Sequence, residues 1–400
     1  VKISRSKIGL VVVSIVMFGT GIAYQNCGET NITENQTLNK TPIDDSDIST
    51  IVDISAGYNH TCILRESGNV ECWGHNFSGE LGTGNTVNSY LPVRAEISNV
   101  KSIDAGLDFT CAVNNEGDVY CWGDNGYGQL ATGDLVKQYI PKKISGISNA
   151  TMVEVGLGHA CALLADKTVQ CWGYNSFGQL GNGNFGDQLL PTPVSGINDA
   201  VSINLGFNSC ALLSTGQIKC WGANPYGQLG NGTTGADSNV PAIVSGINNA
   251  KAVTMGFNHA CALLADKTVK CWGSDAHGQL ADAVIGGASN VPVAVAGLTD
   301  VAFIQAGAFH TCAVKTSGKT KCWGMNDYGQ IGNNSTTNVA IPTDVVEHSD
   351  FTKVDSDNNH TCGLTKDGDV FCWGDDQYGQ IGNNTKGGYY QKPTKVENLR

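Results

Sequence analysis

The sequence predicts an all-β fold, a seven-bladed β-propeller of four-stranded blades, and three observations lead there. One unit of about 50 residues recurs seven times across residues 51–400. Every copy carries a cysteine, a second cysteine ten residues on, and then Trp-Gly. Glycine occupies 51 positions, charged residues make up 15%, and nothing after residue 30 shows helical periodicity. A period near 50 marks a propeller or solenoid, and short β-branched runs between glycine-rich turns read as strands. The pairs are Cys62 with Cys72, Cys111 with Cys121, Cys161 with Cys171, Cys210 with Cys220, Cys261 with Cys271, Cys312 with Cys322 and Cys362 with Cys372. Successive first cysteines lie 49, 50, 49, 51, 51 and 50 residues apart.

Each unit offers four strands in order. The first is of the type 100–103, the second 159–164, the third 168–172, and the fourth follows a proline, as at 193–195. The second and third make a tight hairpin, turning in the first unit at Glu66-Ser67-Gly68. Gly68 suits the left-handed position of a three-residue loop, whereas Lys167 and Lys267 occupy that position in two units and imply strained turns. With Arg65 opposite Asn69, Leu64 faces Val70 and Cys62 faces Cys72. That pair is non-hydrogen-bonded, with Cα atoms about 4.5 Å apart, within reach of a disulfide. Seven cross-strand disulfides are the expectation for an exported chain. Zinc-ligand pairs stand closer in sequence than these cysteines. Reduced core cysteines are the alternative for a chain that stays in the cytosol.

Short joins such as 195–198 lead from a fourth strand to the next first strand, and long glycine-rich loops such as 222–240 follow the third. Short joins link sheet neighbours. A blade is therefore expected to combine the fourth strand of one unit with the first three of the next. The ring is expected to close by pairing of the N- and C-terminal strands, Lys395–Asn398 beside Val52–Ser55.

Three segments are expected: a signal peptide over 1–26, a disordered tether over 27–50, and the propeller over 51–400. Lys2, Arg5 and Lys7 precede an apolar run from Ile8 to Phe18, followed by Gly19, Gly21 and Ala23. This is the order of a secretory signal, and the run is short for a membrane span. Cleavage after Ala23 would release a soluble protein. Cys27 resembles instead the lipid-acceptor cysteine of bacterial lipoproteins, and it is the one cysteine left over from the seven pairs, which in a secreted chain needs an explanation. Residues 28–50 are polar without an apolar period. Net charge is −12, and without the three basic residues of the leader 21 basic residues face 36 acidic ones. Such a chain repels phosphate backbones, so nucleic acid is not an expected partner.

The units Gly-x-x-His-Thr-Cys-Ala, Gly-x-Val-x-Cys-Trp-Gly-x-Asn and Gly-Gln-Leu-Gly resemble the regulator of chromosome condensation repeat, over about residues 50–400. The resemblance implies a seven-bladed propeller whose ends interlock in one blade. The family's namesake is a nuclear exchange factor for a small GTPase that docks on chromatin. A secreted bacterial relative uses one loop face of the same propeller to block a β-lactamase. Paired cysteines in Thr-Cys-Ala and Cys-Trp-Gly form look like those of exported bacterial members.

Three sets of residues are site candidates. His60, His159, His259, His310 and His360 stand two before the first cysteine, with Phe109 and Asn208 in the other copies. A ring of axial ligands is one reading, and buried histidines bonded within each blade the favoured one, because buried polar groups need partners. The Gly-Gln-Leu-Gly motif, for instance Gly178–Gly181, lacks the Lys-Ser/Thr of a phosphate loop and reads as a structural loop with a leucine plug. An aromatic or histidine precedes that motif at Tyr127, Phe177, Tyr226, His277, Tyr328 and Tyr378, with Ser78 in the first copy. These residues either wedge between blades or form a partner-binding rim, where tyrosine is favoured. The most variable loops, 82–92, 131–140, 181–190, 231–240, 281–290 and 332–341, are where specificity is expected.

No catalytic residue, cofactor or metal site is expected. The reading is a monomeric scaffold in the bacterial cell envelope, held at the membrane by lipid on Cys27 or else secreted. It binds a protein or cell-surface polymer on its loop face. Alternatives are an exchange-factor-like regulator of a small GTPase and a propeller hydrolase or lyase acting on glycans.

Overall fold

The computed structural model describes residues 47–399; the expected signal peptide, Cys27 and most of the tether lie outside them. The described strands form seven antiparallel four-stranded sheets, the blades of a propeller. Blade 1 orders Ile51–Ala56, His60–Arg65, Val70–Gly74 and Ser89–Arg94 from the axis outward. Residues 100–143, 150–193, 200–243, 250–294, 301–344 and 351–395 repeat the pattern. The hairpin register is the one read from the turn, with Leu64 opposite Val70 and Cys62 opposite Cys72.

The same register recurs in every blade and brings each cysteine pair to disulfide distance. Cys62 meets Cys72, Cys111 meets Cys121, Cys161 meets Cys171 and Cys210 meets Cys220. Cys261 meets Cys271, Cys312 meets Cys322 and Cys362 meets Cys372. Their Cα atoms stand 4.0–4.1 Å apart, slightly closer than the separation expected of a non-hydrogen-bonded pair. Lys167 and Lys267 take left-handed φ of 68° and 66°, where Gly68 has 81°.

The expected exchange of strands between units does not occur. Every blade is one contiguous unit, and its fourth strand pairs with its own third strand. Tyr389–Lys395 lies beside Val370–Asp375, so the C-terminal strand does not pair with Val52–Ser55. Chain reach permits this arrangement. Six steps from Arg94 to Val100 can cover roughly 20 Å, and crossing three strand spacings needs only about 14 Å. A five-residue join can therefore run beneath a blade from its outer edge to the next blade's axial strand. Each outer strand holds a proline, such as Pro92 and Pro393, a residue confined to sheet edges because it has no N–H to offer.

The ring closes by packing instead. The core lies between blades, in seven apolar clusters. Cys62, Leu64, Val70 and Leu81 of blade 1 meet Val100, Ile103 and Trp122 of blade 2. Cys362, Leu364, Val370 and Ile381 of blade 7 meet Ile51, Ile54, Ile63 and Trp73 of blade 1 in the same way. All seven tryptophans are fully buried in these clusters. Residues 47–49 already bond to blade 1: the Asp47 carboxylate accepts from the Ser67 hydroxyl at 2.8 Å, and Arg65 Nη1 donates to the Ser49 carbonyl at 2.8 Å.

Candidate functional site: the loop face

Two kinds of loop share one end of the ring. The first strand of each blade ends in an axial turn, and the third ends in the long glycine-rich loop. Their backbones bond at once, His75 N–H to the Asn59 carbonyl (2.9 Å) and Asp124 N–H to that of Asp108 (2.8 Å). The hairpins and interblade joins occupy the opposite end.

Side chains hold each long loop rigid. The Asn175 amide donates to the carbonyls of Asn184 and Gly186, and its oxygen accepts the Leu180 N–H. Gln179 accepts the Phe177 N–H at 3.0 Å. The motif's Leu or Ile is buried in every copy, so Gly-Gln-Leu-Gly is the structural loop expected. Its glutamine carbonyl also ties blades together. The Gln179 carbonyl accepts both the Trp221 indole N–H and the Ser209 hydroxyl, each at 2.8 Å.

The five histidines belong to the same junctions and form no axial ring. Each bonds a hydroxyl of the next blade: His60 to Thr110, His159 to Ser209, His259 to Thr311, His310 to Thr361 and His360 to Thr61, at 2.8–3.0 Å. Ser209 spends its proton on the Gln179 carbonyl, so it accepts from the His159 Nε2–H. Where the next blade offers Ala160 or Ala260 instead, the histidine is replaced by Phe109 or Asn208. Burial holds these imidazoles low, His60 at about 4 and the other four at about 3.

At the axis, the residue opposite each first cysteine is polar: Ser55, Asp104, Glu154, Asn204, Thr254, Gln305 and Asp355. An inner strand has unpaired N–H groups along its edge, and these side chains take them. Asp104 accepts from Val155 N–H (2.7 Å), Asn204 from Met255 (2.6 Å), Thr254 from Ala306 (2.8 Å) and Asp355 from Ala56 (2.8 Å). Burial, reinforced by Asp355, pushes Asp104 up to about 8; burial pushes Asp357 up to about 7 and Asp355 to about 6, and lifts Glu154 well above the carboxylate range.

The two sets give opposite pH dependence. The folded carboxylates keep protons that the unfolded chain has lost above about pH 4, so they stabilise less as pH rises to 8. The folded histidines refuse protons that the unfolded chain takes below about pH 6.5, so they destabilise as pH falls. Denaturant midpoints should therefore rise from pH 8 to about 6.5, level off, and fall below about 4. A midpoint still climbing from pH 6.5 to 8 would contradict this assignment.

Aromatic side chains cover the face. Tyr58 and Phe257, from opposite blades, stack over the axis with centroids 6.3 Å apart, and a cavity of about 40 Å³ at the axis is lined by five of the axial polar residues, Asp104, Glu154, Asn204, Gln305 and Asp355. The six rim residues all sit on the long loops, and four lean on the next blade. Phe177 packs on Phe207, His277 on Phe309 and Tyr378 on His75, with centroids 5.1, 5.4 and 4.7 Å apart, and Tyr127 lies against Gly158. Tyr226 and Tyr328 are half-buried, their N–H groups bonded to Gln228 and Gln330. In the first copy, where Ser78 takes the rim position, the neighbouring Phe77 is 64% exposed and packs on His75 and on Tyr378 of blade 7, with centroids 4.5 and 6.5 Å apart. Exposed apolar residues tip the variable loops at Val87, Leu135, Val136, Phe185, Val284 and Ile285. Among the axial turns and long loops, Lys137 and Lys386 are the only basic residues, against many aspartates.

Blade 1 departs from the repeat. Where six loops have glutamine it has Glu80, fully buried. Glu80 Oε2 accepts the Ser78 N–H (2.8 Å), while Oε1 contacts His75 Nδ1. Asp108, from the axial turn of blade 2, stands 3.7 Å from His75 Nδ1. These three offer ligand atoms within 4.8 Å of one another, a grouping that the sequence reading, which named no metal ligands, did not find.

A closed ring of seven four-stranded blades, each tied to the next by a Trp indole on a loop carbonyl (Gln in six junctions, Glu80 in the one between blades 1 and 2), defines a seven-bladed β-propeller. The Regulator of chromosome condensation (RCC1) repeat matches seven times, at 51–80, 100–129, 153–179, 200–228, 250–279, 301–330 and 351–380, and a second model of that repeat matches six segments between 67 and 400. The chain belongs to this repeat family. Among solved structures it is similar to yeast RCC1 (Prp20) with Kap60 bound, at 20% identity and TM-score 0.74 over 94% of this chain and 91% of that one. Human WBSCR16 matches at 21% identity and TM-score 0.72 over 80% and 87%. Prp20p of Saccharomyces cerevisiae, described with its binding to Gsp1p and histones, matches at 22% and 0.70 over 77% and 80%. At these identities the likeness is one of fold.

Proposed function

We propose that this chain is an exported propeller, lipid-anchored at Cys27 in a bacterial envelope, that binds a partner protein through its loop face and catalyses no reaction. The observation that carries the reading is the make-up of that face. Exposed apolar tips on rigid loops resemble protein-binding patches, and a surface of one charge sign favours a partner of the other. The partner surface is accordingly basic with apolar pockets. Export is supported by the charged-then-apolar leader and by seven cysteine pairs at disulfide distance, since disulfides persist in oxidising compartments. A soluble secreted form is the alternative for localisation.

The exchange-factor reading draws on the fold shared with Prp20p, described as binding Gsp1p. The glycan-enzyme reading finds little support, since the axial carboxylates sit beside about 40 Å³ of space, room for only two or three waters. A photo-crosslinking amino acid at Val136 or Phe185, compared with Ser67 or Asp166 on the hairpin face, tests the binding reading in producing cells. The loop-face positions should yield one common protein adduct that fades in high salt. Adducts from the hairpin face alone, or none from either, would overturn it.

A further inference from the structure

We infer that His75, Glu80 and Asp108 form a divalent transition-metal site at the junction of blades 1 and 2. The inference is independent of the partner-binding reading. The repeat itself supplies the internal comparison. In other blades the position of Glu80 Oε1 belongs to a glutamine amide, a donor. Gln129 and Gln380 use it to bond carboxylates at Asp124 and Asp375, at 3.0 and 3.3 Å. In blade 1 that atom is an acceptor, turned toward His75 and a second carboxylate, Asp108. Two carboxylates, one of them fully buried, then converge on a single imidazole nitrogen, His75 Nδ1. Without a cation such an arrangement is costly.

Local charge points the same way. Lys137, the one lysine near this junction, is bonded to Asp124 (3.0 Å) and Ser78 (2.9 Å). Glu80, Asp108 and Asp124 thus outnumber it by two charges when His75 is neutral, and one divalent ion restores balance. The donor set, one imidazole nitrogen and two carboxylates, suits zinc and its neighbours better than calcium, which takes oxygen ligands. Zinc holds such atoms at about 2.0–2.2 Å, which places tetrahedral neighbours roughly 3.3 Å apart. The 3.7 Å between His75 and Asp108 needs little adjustment, and the direct His75–Glu80 contact opens to admit the ion. The site also has the steric frame of its neighbours: His75 is clamped between Phe77 and Tyr378, with centroids at 4.5 and 4.7 Å. Asp108 is the least buried of the three, which leaves coordination positions on its side to water.

The test titrates ZnCl2 into chelator-treated, disulfide-intact protein by calorimetry, with X-ray absorption at the zinc edge to read the ligands. Glu80→Gln and Asp108→Asn are the matched variants. Each installs the residue that other repeats carry, Gln129 or Gln179 and Asn59 or Asn258, so the fold has a precedent for both. The expected result is one micromolar or tighter site with one nitrogen and carboxylate oxygens from the protein. Each variant should weaken it by more than the roughly 10–100-fold that loss of an outer-shell contact costs. Absence of stoichiometric zinc binding, or equal affinity in Glu80→Gln, would overturn the assignment and leave the partner-binding reading untouched.

Discussion

Trp73→Ala is expected to destabilise the protein by about 3–5 kcal/mol, the usual cost of emptying a buried tryptophan site, and to open the ring at one place. Trp73 lies at the junction where the two ends of the described chain meet. Its indole donates to the Gln380 carbonyl of blade 7 at 2.9 Å and packs among Leu364, Val370 and Ile381. No strand is exchanged across this junction. It rests on Trp73, on His360 bonded to Thr61, on Asp355 capping Ala56 N–H, and on the Lys353–Asp53 ion pair. Trp221→Ala should cost a similar amount, but blades 3 and 4 stay joined by the chain through 194–199. Native-state hydrogen exchange separates the two. In Trp73→Ala, amides of 51–56 and 351–357 should exchange through a sub-global opening, whereas in Trp221→Ala those segments remain protected. Equal protection of 51–56 in both variants would contradict closure by packing alone.

His159→Phe is expected to cost about 1–3 kcal/mol, and so is Ser209→Ala, because each leaves a buried partner short of a hydrogen bond. Together they recreate the pair that the fold already uses at the preceding junction, Phe109 against Ala160. The double variant should therefore be more stable than the sum of the singles predicts, by about 1–2 kcal/mol. Strict additivity in denaturant unfolding would show that the histidine and the hydroxyl do not act as a pair.

Much of this architecture can be read from the chain. The 50-residue period announces seven blades, and the three-residue turn at Gly68 sets the register that brings Cys62 to Cys72. Blade membership cannot be read by the same route, because a five-residue join is long enough both to turn between neighbours and to run beneath a blade. The histidine pairing is legible in principle. Thr61, Thr110, Ser209, Thr311 and Thr361 each stand just before a first cysteine; the last four follow a unit that has the histidine, and Thr61 meets the last unit's His360 through ring closure. That signal spans two units and is lost when one copy is read alone. The His75–Glu80–Asp108 grouping is split between units in the same way, although Glu80 stands out as a carboxylate where six copies keep an amide. The rim residues are legible as loop residues from their place before the glycine motif. Tyr58, Phe207, Phe257 and Phe309 are not, because axial turns read as simple turn sequence.

Whether the ring is built outside the cytosol separates the binding reading from the exchange-factor reading most directly. Intact and peptide mass spectrometry of unreduced protein from a Gram-negative host measures it. Seven disulfides, each within one repeat, and a diacyl or triacyl mass on Cys27 are the expected result. Fifteen free thiols, Cys27 among them, on a chain that keeps its N-terminal segment would contradict it and move the GTPase-regulator reading to the front.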